Sequence, residues 1–173
     1  MTFGRLSPQL RGNPEFQSAV VRLAMWLFGV CYVGLGALTG YYRVDLGHYF
    51  TLFAVYLVAF LGMLVSVVLR PVLPGRCYVA LALDVTAVSL AIFLTREAIS
   101  PFYLIYIWIF ISAGTRYGRS PLIFAALLSL VAYSLVLVEL GEWQRHTFEA
   151  VFFLLLLVLL PLYQYSLLRK VQE

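Results

Sequence analysis

Six apolar runs follow one another along the chain, separated by short segments that hold most of the charged and turn-forming residues. A helix that spans the hydrocarbon core of a bilayer needs about 20 apolar residues, and five of the runs approach that length. The fourth run is shorter, so it needs a locally thinned bilayer, flanking residues that reach the interface, or burial among its neighbours. The predicted helices occupy residues 19–39, 50–69, 77–95, 101–115, 121–138 and 148–168.

The composition agrees with this pattern. Of the 173 residues, 63% are hydrophobic and 12% are charged, whereas soluble domains average about 45–50% and 25%. A soluble core of this size could not bury so much apolar surface. The sequence therefore predicts an all-α membrane protein: a bundle of six transmembrane helices, or of five if the short fourth run does not cross.

The positive charges indicate the orientation, because loops rich in Lys and Arg face the cytoplasm. With a cytoplasmic N-terminus, nine of the twelve Lys and Arg residues fall on the inner side. The sequence therefore predicts that both termini are cytoplasmic. The net charge of +4 suits anionic lipid rather than nucleic acid as a partner, since the cations lie near helix ends.

Asp84 is the only carboxylate well inside an apolar run. An ionised Asp at the middle of a membrane helix costs about 2.5–3.5 kcal/mol, so Asp84 is expected to face the protein interior, paired or protonated. Arg116 is the first-choice partner, with Arg70 or Arg76 second. The pair is either a structural clamp or part of a proton-coupled or signal-sensing site.

Two further positions attract attention because of their spacing. Glu15 and Arg22 are seven residues apart, about two helical turns, so both can face one side. They form either a positive-inside anchor or an interfacial polar site for an anionic amphiphile. Near the other end of the chain, Pro161 is expected to kink the sixth helix, and Tyr163 follows it as an interfacial anchor. Tyr103 and Tyr106 are predicted at the outer membrane interface.

The sequence holds no phosphate-binding glycine loop, no paired catalytic carboxylates and no metal-ligand spacing. No catalytic residue, metal or cofactor is therefore predicted, and the segment is not expected to be an enzyme by itself. Three functions stay open at this point: a membrane sensor, a small transporter or channel-like protein that uses Asp84, and a scaffold subunit without a ligand.

A block in and after the fourth run resembles the membrane input domain of RpfC-type sensor histidine kinases. Weaker matches are Glu15 with Arg22, Arg70-Pro71, Leu83-Asp84 and Pro161-Leu162-Tyr163, and together they cover most of the chain. The residues of the block are Ser100-Pro101-x-Tyr103, Trp108, Gly114 and Arg116-Tyr117-Gly118.

The resemblance implies a sensor in a bacterial inner membrane that detects diffusible signal factors, the cis-2-unsaturated fatty acids of bacterial quorum sensing. It implies a two-component histidine kinase downstream and a homodimer. Our hypothesis from the residues adds that the signal passes through the last helix, with Pro161 and Tyr163 as the hinge. Related membrane regions precede diguanylate cyclases, which is the alternative output. Candidate ligand contacts are Glu15, Arg22, Trp108, Arg116 and Tyr117.

The resemblance also suggests a division of the chain. Residues 1–18 would be a short N-terminal interfacial segment, 19–168 the transmembrane sensor domain, and 169–173 the start of a cytoplasmic signalling helix. The family is often described as five-spanning with the N-terminal segment outside, whereas the charge count gives six spans with that segment inside.

Overall fold

The computed structural model describes residues 13–70, 73–96, 102–141, 144 and 147–172. Each predicted apolar run corresponds to one helix, so the prediction of an all-α membrane protein is confirmed. The helices are α1 (Pro14–Leu38), α2 (Leu46–Leu69), α3 (Arg76–Thr95), α4 (Phe102–Arg116), α5 (Arg119–Leu140) and α6 (Thr147–Gln172).

Five of these helices, with 20 to 26 residues each, are long and apolar enough to cross a membrane. The exception is α4, which has 15 residues and spans only about 22 Å at 1.5 Å per residue. That length is below the 30 Å of a typical hydrocarbon core. The choice between five and six spans, and the side of the membrane on which the chain begins, therefore stay predictions.

Helix α1 begins five residues before the predicted span. Asn13 is the N-cap, since its side chain accepts a hydrogen bond of 2.9 Å from the backbone N–H of Glu15. Pro14 follows at the first helical position, where its missing N–H costs nothing. The end of the predicted interfacial segment, residues 14–18, is therefore helical, and residues 1–12 lie outside the described part.

The chain forms two compact units, Met1–Arg76 and Cys77–Glu173. In the first unit, α1 and α2 make an antiparallel hairpin tied by side chains that donate to backbone carbonyls of the facing helix. The indole of Trp26 donates to the carbonyl of Phe53 at 2.8 Å, and the hydroxyl of Tyr49 to that of Val30 at 2.9 Å. These bonds satisfy polar groups that would be costly in lipid.

The second unit is organised around three tyrosines whose rings pack edge to face, Tyr103, Tyr106 and Tyr133. All three are buried, Tyr106 and Tyr133 completely. The hydroxyl of Tyr106 lies 2.6 Å from that of Ser89 on α3, and the hydroxyl of Tyr103 donates to the carbonyl of Phe153 on α6 at 2.7 Å. The structure thus buries Tyr103 and Tyr106 inside the protein, where the sequence placed them in an outer aromatic belt.

Candidate functional site

Arg76, in the first unit, makes several polar contacts within the described residues. It is the first residue of α3 and only 5% exposed. Its Nη1 donates to the carbonyl of Ser66 at 3.1 Å, to the Ser66 hydroxyl at 3.3 Å and to the carbonyl of Arg70 at 2.6 Å. Its Nε donates to the carboxylate of Glu15 at 3.1 Å, and Nη2 forms an ion pair with the same carboxylate.

Glu15 and Arg22 lie on one helix as predicted, but they have different partners. Glu15 pairs with Arg76, while the guanidinium of Arg22 lies over the ring of Phe60, 6.0 Å from its centroid. Arg22 is only 8% exposed, so its charged group is packed into the hairpin and does not extend freely to the headgroups. Helical spacing pointed to Glu15 and Arg22 in the sequence. It could not identify Arg76 as the partner of Glu15, because the two residues are 61 positions apart.

Asp84 and Arg116 both belong to the second unit. Asp84 is half-buried on α3, and Arg116 is half-buried as the last residue of α4. Each takes part in an interaction with other groups. The proposed ion pair between Asp84 and Arg116 stays a prediction.

The remaining ligand candidates follow the surface of α4. Trp108 is 39% exposed, and Tyr117 is half-buried directly after the helix. Trp108 and Arg116 are eight residues apart, a rise of about 12 Å. An extended acyl chain whose carboxylate lies at Arg116 is long enough to reach Trp108.

The end of α4 makes close contact with the last helix. A Cβ at Gly114 would overlap the terminal amide of Gln164, which would have to move, and would lie 3.2 Å from Leu168. The amide of Gln164 donates to the carbonyl of Ile111 at 3.3 Å. We call the set Ile111, Gly114, Gln164 and Leu168 the exit contact.

A second interaction supports the exit contact from α5. The guanidinium of Arg119 lies over the ring of Tyr165, 5.7 Å from the centroid. Arg119 is placed by Gly118, whose φ of 107° is a conformation that residues with a side chain rarely adopt. The Arg-Tyr-Gly-Arg segment singled out in the sequence therefore ends against the last helix.

The exit contact begins three residues after Pro161. Pro161 is buried inside α6, and the helix continues through it to Gln172. Tyr163 is 66% exposed, so the contacts with α4 and α5 are made by Gln164, Tyr165 and Leu168 instead. Gln164 could have been found in the sequence as an amide in an apolar run, because polar groups within membrane helices usually face protein. Within the described ranges, no cluster of His, Cys, Asp and Glu could hold a metal ion.

These features define a multi-pass, all-α membrane protein with a buried arginine in one unit and a last helix that contacts α4 and α5 in the other. The chain is similar to the Sensory/regulatory protein RpfC of two strains of Xanthomonas campestris pv. campestris. Identity to each is 27% over 166 residues, which cover 92% of this chain.

The comparison confirms the resemblance inferred from the sequence. The chain spans only 22% of the length of these relatives. No protein-family model matches it, and no solved structure matches significantly. Together, the membrane-length helices and the similarity to RpfC support a membrane sensor domain.

Proposed function

We propose that this chain is the membrane sensor domain of a bacterial quorum-sensing histidine kinase, which detects a diffusible fatty-acid signal. The sensor passes the signal along α6 to a cytoplasmic kinase. The support is the similarity to RpfC over 92% of the chain together with five helices that can cross a membrane. The membrane is the bacterial inner membrane, both termini are cytoplasmic, and the working form is a homodimer.

The observation that carries this proposal is the exit contact. A sensor must make the position of its output helix depend on the state of its input helices. Here Gln164 of the output helix lies against Gly114 and donates one hydrogen bond to the carbonyl of Ile111, three residues after Pro161. Proline removes one backbone hydrogen bond of α6, so the segment beyond it can tilt with little cost. Pro161 and Tyr163 would lie in the hinge.

The signal combines a carboxylate with an acyl chain, and the chain offers surfaces for both. Apolar side chains exposed on α2 and α4 provide surface for the acyl chain. Arginines near helix ends provide the charge, because a carboxylate is bound best by a guanidinium. Arg22 and Arg116 are the candidates from the sequence. Glu15, on the same helix as Arg22, and Trp108 and Tyr117, in and after α4, are the other candidates, and Asp84 would hold Arg116 in position.

The test is a binding experiment with the purified chain in lipid nanodiscs. A labelled cis-2-unsaturated fatty acid should bind saturably, and the matching alcohol should compete poorly because it lacks the carboxylate. Equal competition by the alcohol, or no saturable binding, would contradict the proposal. Unchanged affinity in both Arg22→Ala and Arg116→Ala would remove those two arginines from the site and leave the sensor function standing.

A further inference from the structure

The environment of Arg76 resembles a binding site more than an ordinary surface ion pair. The side chain is 4% exposed, and that of Glu15 is 17% exposed. Two backbone carbonyls and the Ser66 hydroxyl hold Nη1. These acceptors hold Nη1, while the edge formed by Nε and Nη2 faces the carboxylate of Glu15.

Glu15 engages that edge with only one of its two carboxylate oxygens. Both Nε and Nη2 meet the same oxygen, Oε2 of Glu15. The favoured arrangement of arginine with carboxylate is a pair of parallel hydrogen bonds to two different oxygens. Glu15 belongs to the first turn of α1, so the helix limits the orientations that its carboxylate can take. An untethered carboxylate has no such limit and can present both oxygens.

The surroundings also suit an amphiphile. Arg76 contacts Ser66 near the end of α2, and the apolar side chains around that position are open: Val65 is 54% exposed, Val68 46% and Leu69 74%. Arg76 itself begins a helix that can cross a membrane, so its charge lies at the edge of the apolar region. A carboxylate at Arg76 would have an apolar surface beside it for an acyl chain.

We infer that Arg76 is the receptor for the carboxylate of an amphiphilic acid, and that Glu15 is an internal competitor that occupies the receptor when no ligand is bound. Binding exchanges one carboxylate for another and releases the first turn of α1 from the start of α3. That the acid is a fatty-acid signal rests on the proposed function. The exchange itself rests on the geometry of Arg76 and Glu15.

The experiment measures binding of the labelled cis-2-unsaturated fatty acid to the full chain in nanodiscs. Glu15→Gln removes the competing charge at nearly constant volume, so affinity should rise about three- to tenfold, as expected when a larger fraction of the protein is competent to bind. Arg76→Gln should lower affinity about 10- to 100-fold, the range for losing hydrogen bonds to a charged group. Arg43→Gln is the matched control, since Arg43 is exposed at the other end of the hairpin, and affinity should stay unchanged.

Arg76→Lys covers the case in which Arg76→Gln does not fold. Lysine keeps the positive charge but lacks the two parallel N–H donors of the guanidinium, so affinity should fall about tenfold. Weaker binding in Glu15→Gln would make Glu15 a recognition group and overturn the exchange, while the sensor function would stand. Unchanged affinity in folded Arg76→Gln would also overturn it. No binding to the wild-type chain would contradict both proposals.

Discussion

Gly114 on α4 lies directly against the side-chain amide of Gln164 on α6, which occupies the space that a Cβ atom would take. One turn earlier, the carbonyl of Ile111 accepts a hydrogen bond from the same amide. Close approach at glycine is the usual way in which membrane helices gain packing energy, since lipid removes the hydrophobic drive between them. The last helix therefore contacts α4 just after Pro161.

A methyl group at position 114 should displace the side-chain amide of Gln164. We expect Gly114→Ala to have a lower thermal unfolding midpoint than Gly62→Ala and to loosen residues 162–172, measured by hydrogen exchange, because losing the bond from Gln164 to Ile111 costs about 0.5–1.5 kcal/mol. Gly62→Ala is the matched control. Gly62 is also within a helix, but nothing lies within 4 Å of its added Cβ, so its midpoint should stay the same or rise slightly. Equal destabilisation by both changes would contradict the close contact.

The cation–π pair between Arg119 and Tyr165 should be measurable by comparison with a nearby tyrosine. Tyr165→Leu should destabilise the second unit by about 0.5–1 kcal/mol beyond Tyr163→Leu, since Tyr163 is 66% exposed. Urea or thermal unfolding in detergent gives the difference. In an Arg119→Gln background the difference between the two tyrosine variants should disappear. A difference that persists there would rule out Arg119 as the partner.

The buried tyrosine core gives a third prediction. Tyr106→Phe should cost about 1 kcal/mol, since it removes one hydrogen bond and leaves Ser89 bonded to the carbonyl of Val85 at 2.7 Å. Tyr106→Ala should cost about 3–5 kcal/mol, the usual loss for a large buried ring. Both values come from equilibrium unfolding. Similar small effects from the two variants would mean that the ring is not in a packed core.

Asp45, the N-cap of α2, should make the stability of the protein depend on pH. The carboxylate of Asp45 accepts from the backbone N–H of Gly47 at 3.0 Å and contacts His48 at 2.7 Å. The hydrogen bond from Gly47 has the largest effect, followed by the one with His48, and together they lower the pKa of Asp45 below 3.8. The unfolded chain therefore binds the proton more readily, so the stabilisation is present above pH 3.8 and is lost as the pH falls through the folded value.

Asp45→Asn tests this dependence, because asparagine is an equally good cap and does not titrate. The stability of the wild type relative to this variant should decrease as the pH is lowered from about 5 to 2.5, a window that covers the ordinary pKa of Asp. Thermal unfolding at each pH gives the comparison. A relative stability that rises as the pH falls would contradict the sign.

The sequence predicted the helices well because span length and hydropathy are local properties. It was less informative about which faces of the helices meet. In lipid, apolar side chains suit both the outside and the core, so Tyr103 and Tyr106 fitted an aromatic belt as well as a buried cluster. The partner of Glu15 could not be found by helical spacing either, since Arg76 reaches it only after the α1–α2 hairpin has formed.

The most direct test of the sensor proposal measures the distance between α4 and the end of α6. Spin labels at Thr115 and Ser166, both exposed, would report it in the full chain in nanodiscs, with Cys31 and Cys77 replaced by alanine. A pair at Thr115 and Ile123 is the control within the same unit. The account predicts that saturating cis-2-unsaturated fatty acid shifts the first distance distribution and leaves the control pair unchanged, and that the matching alcohol shifts neither. Identical distributions for the first pair with and without bound fatty acid would contradict signalling through the last helix.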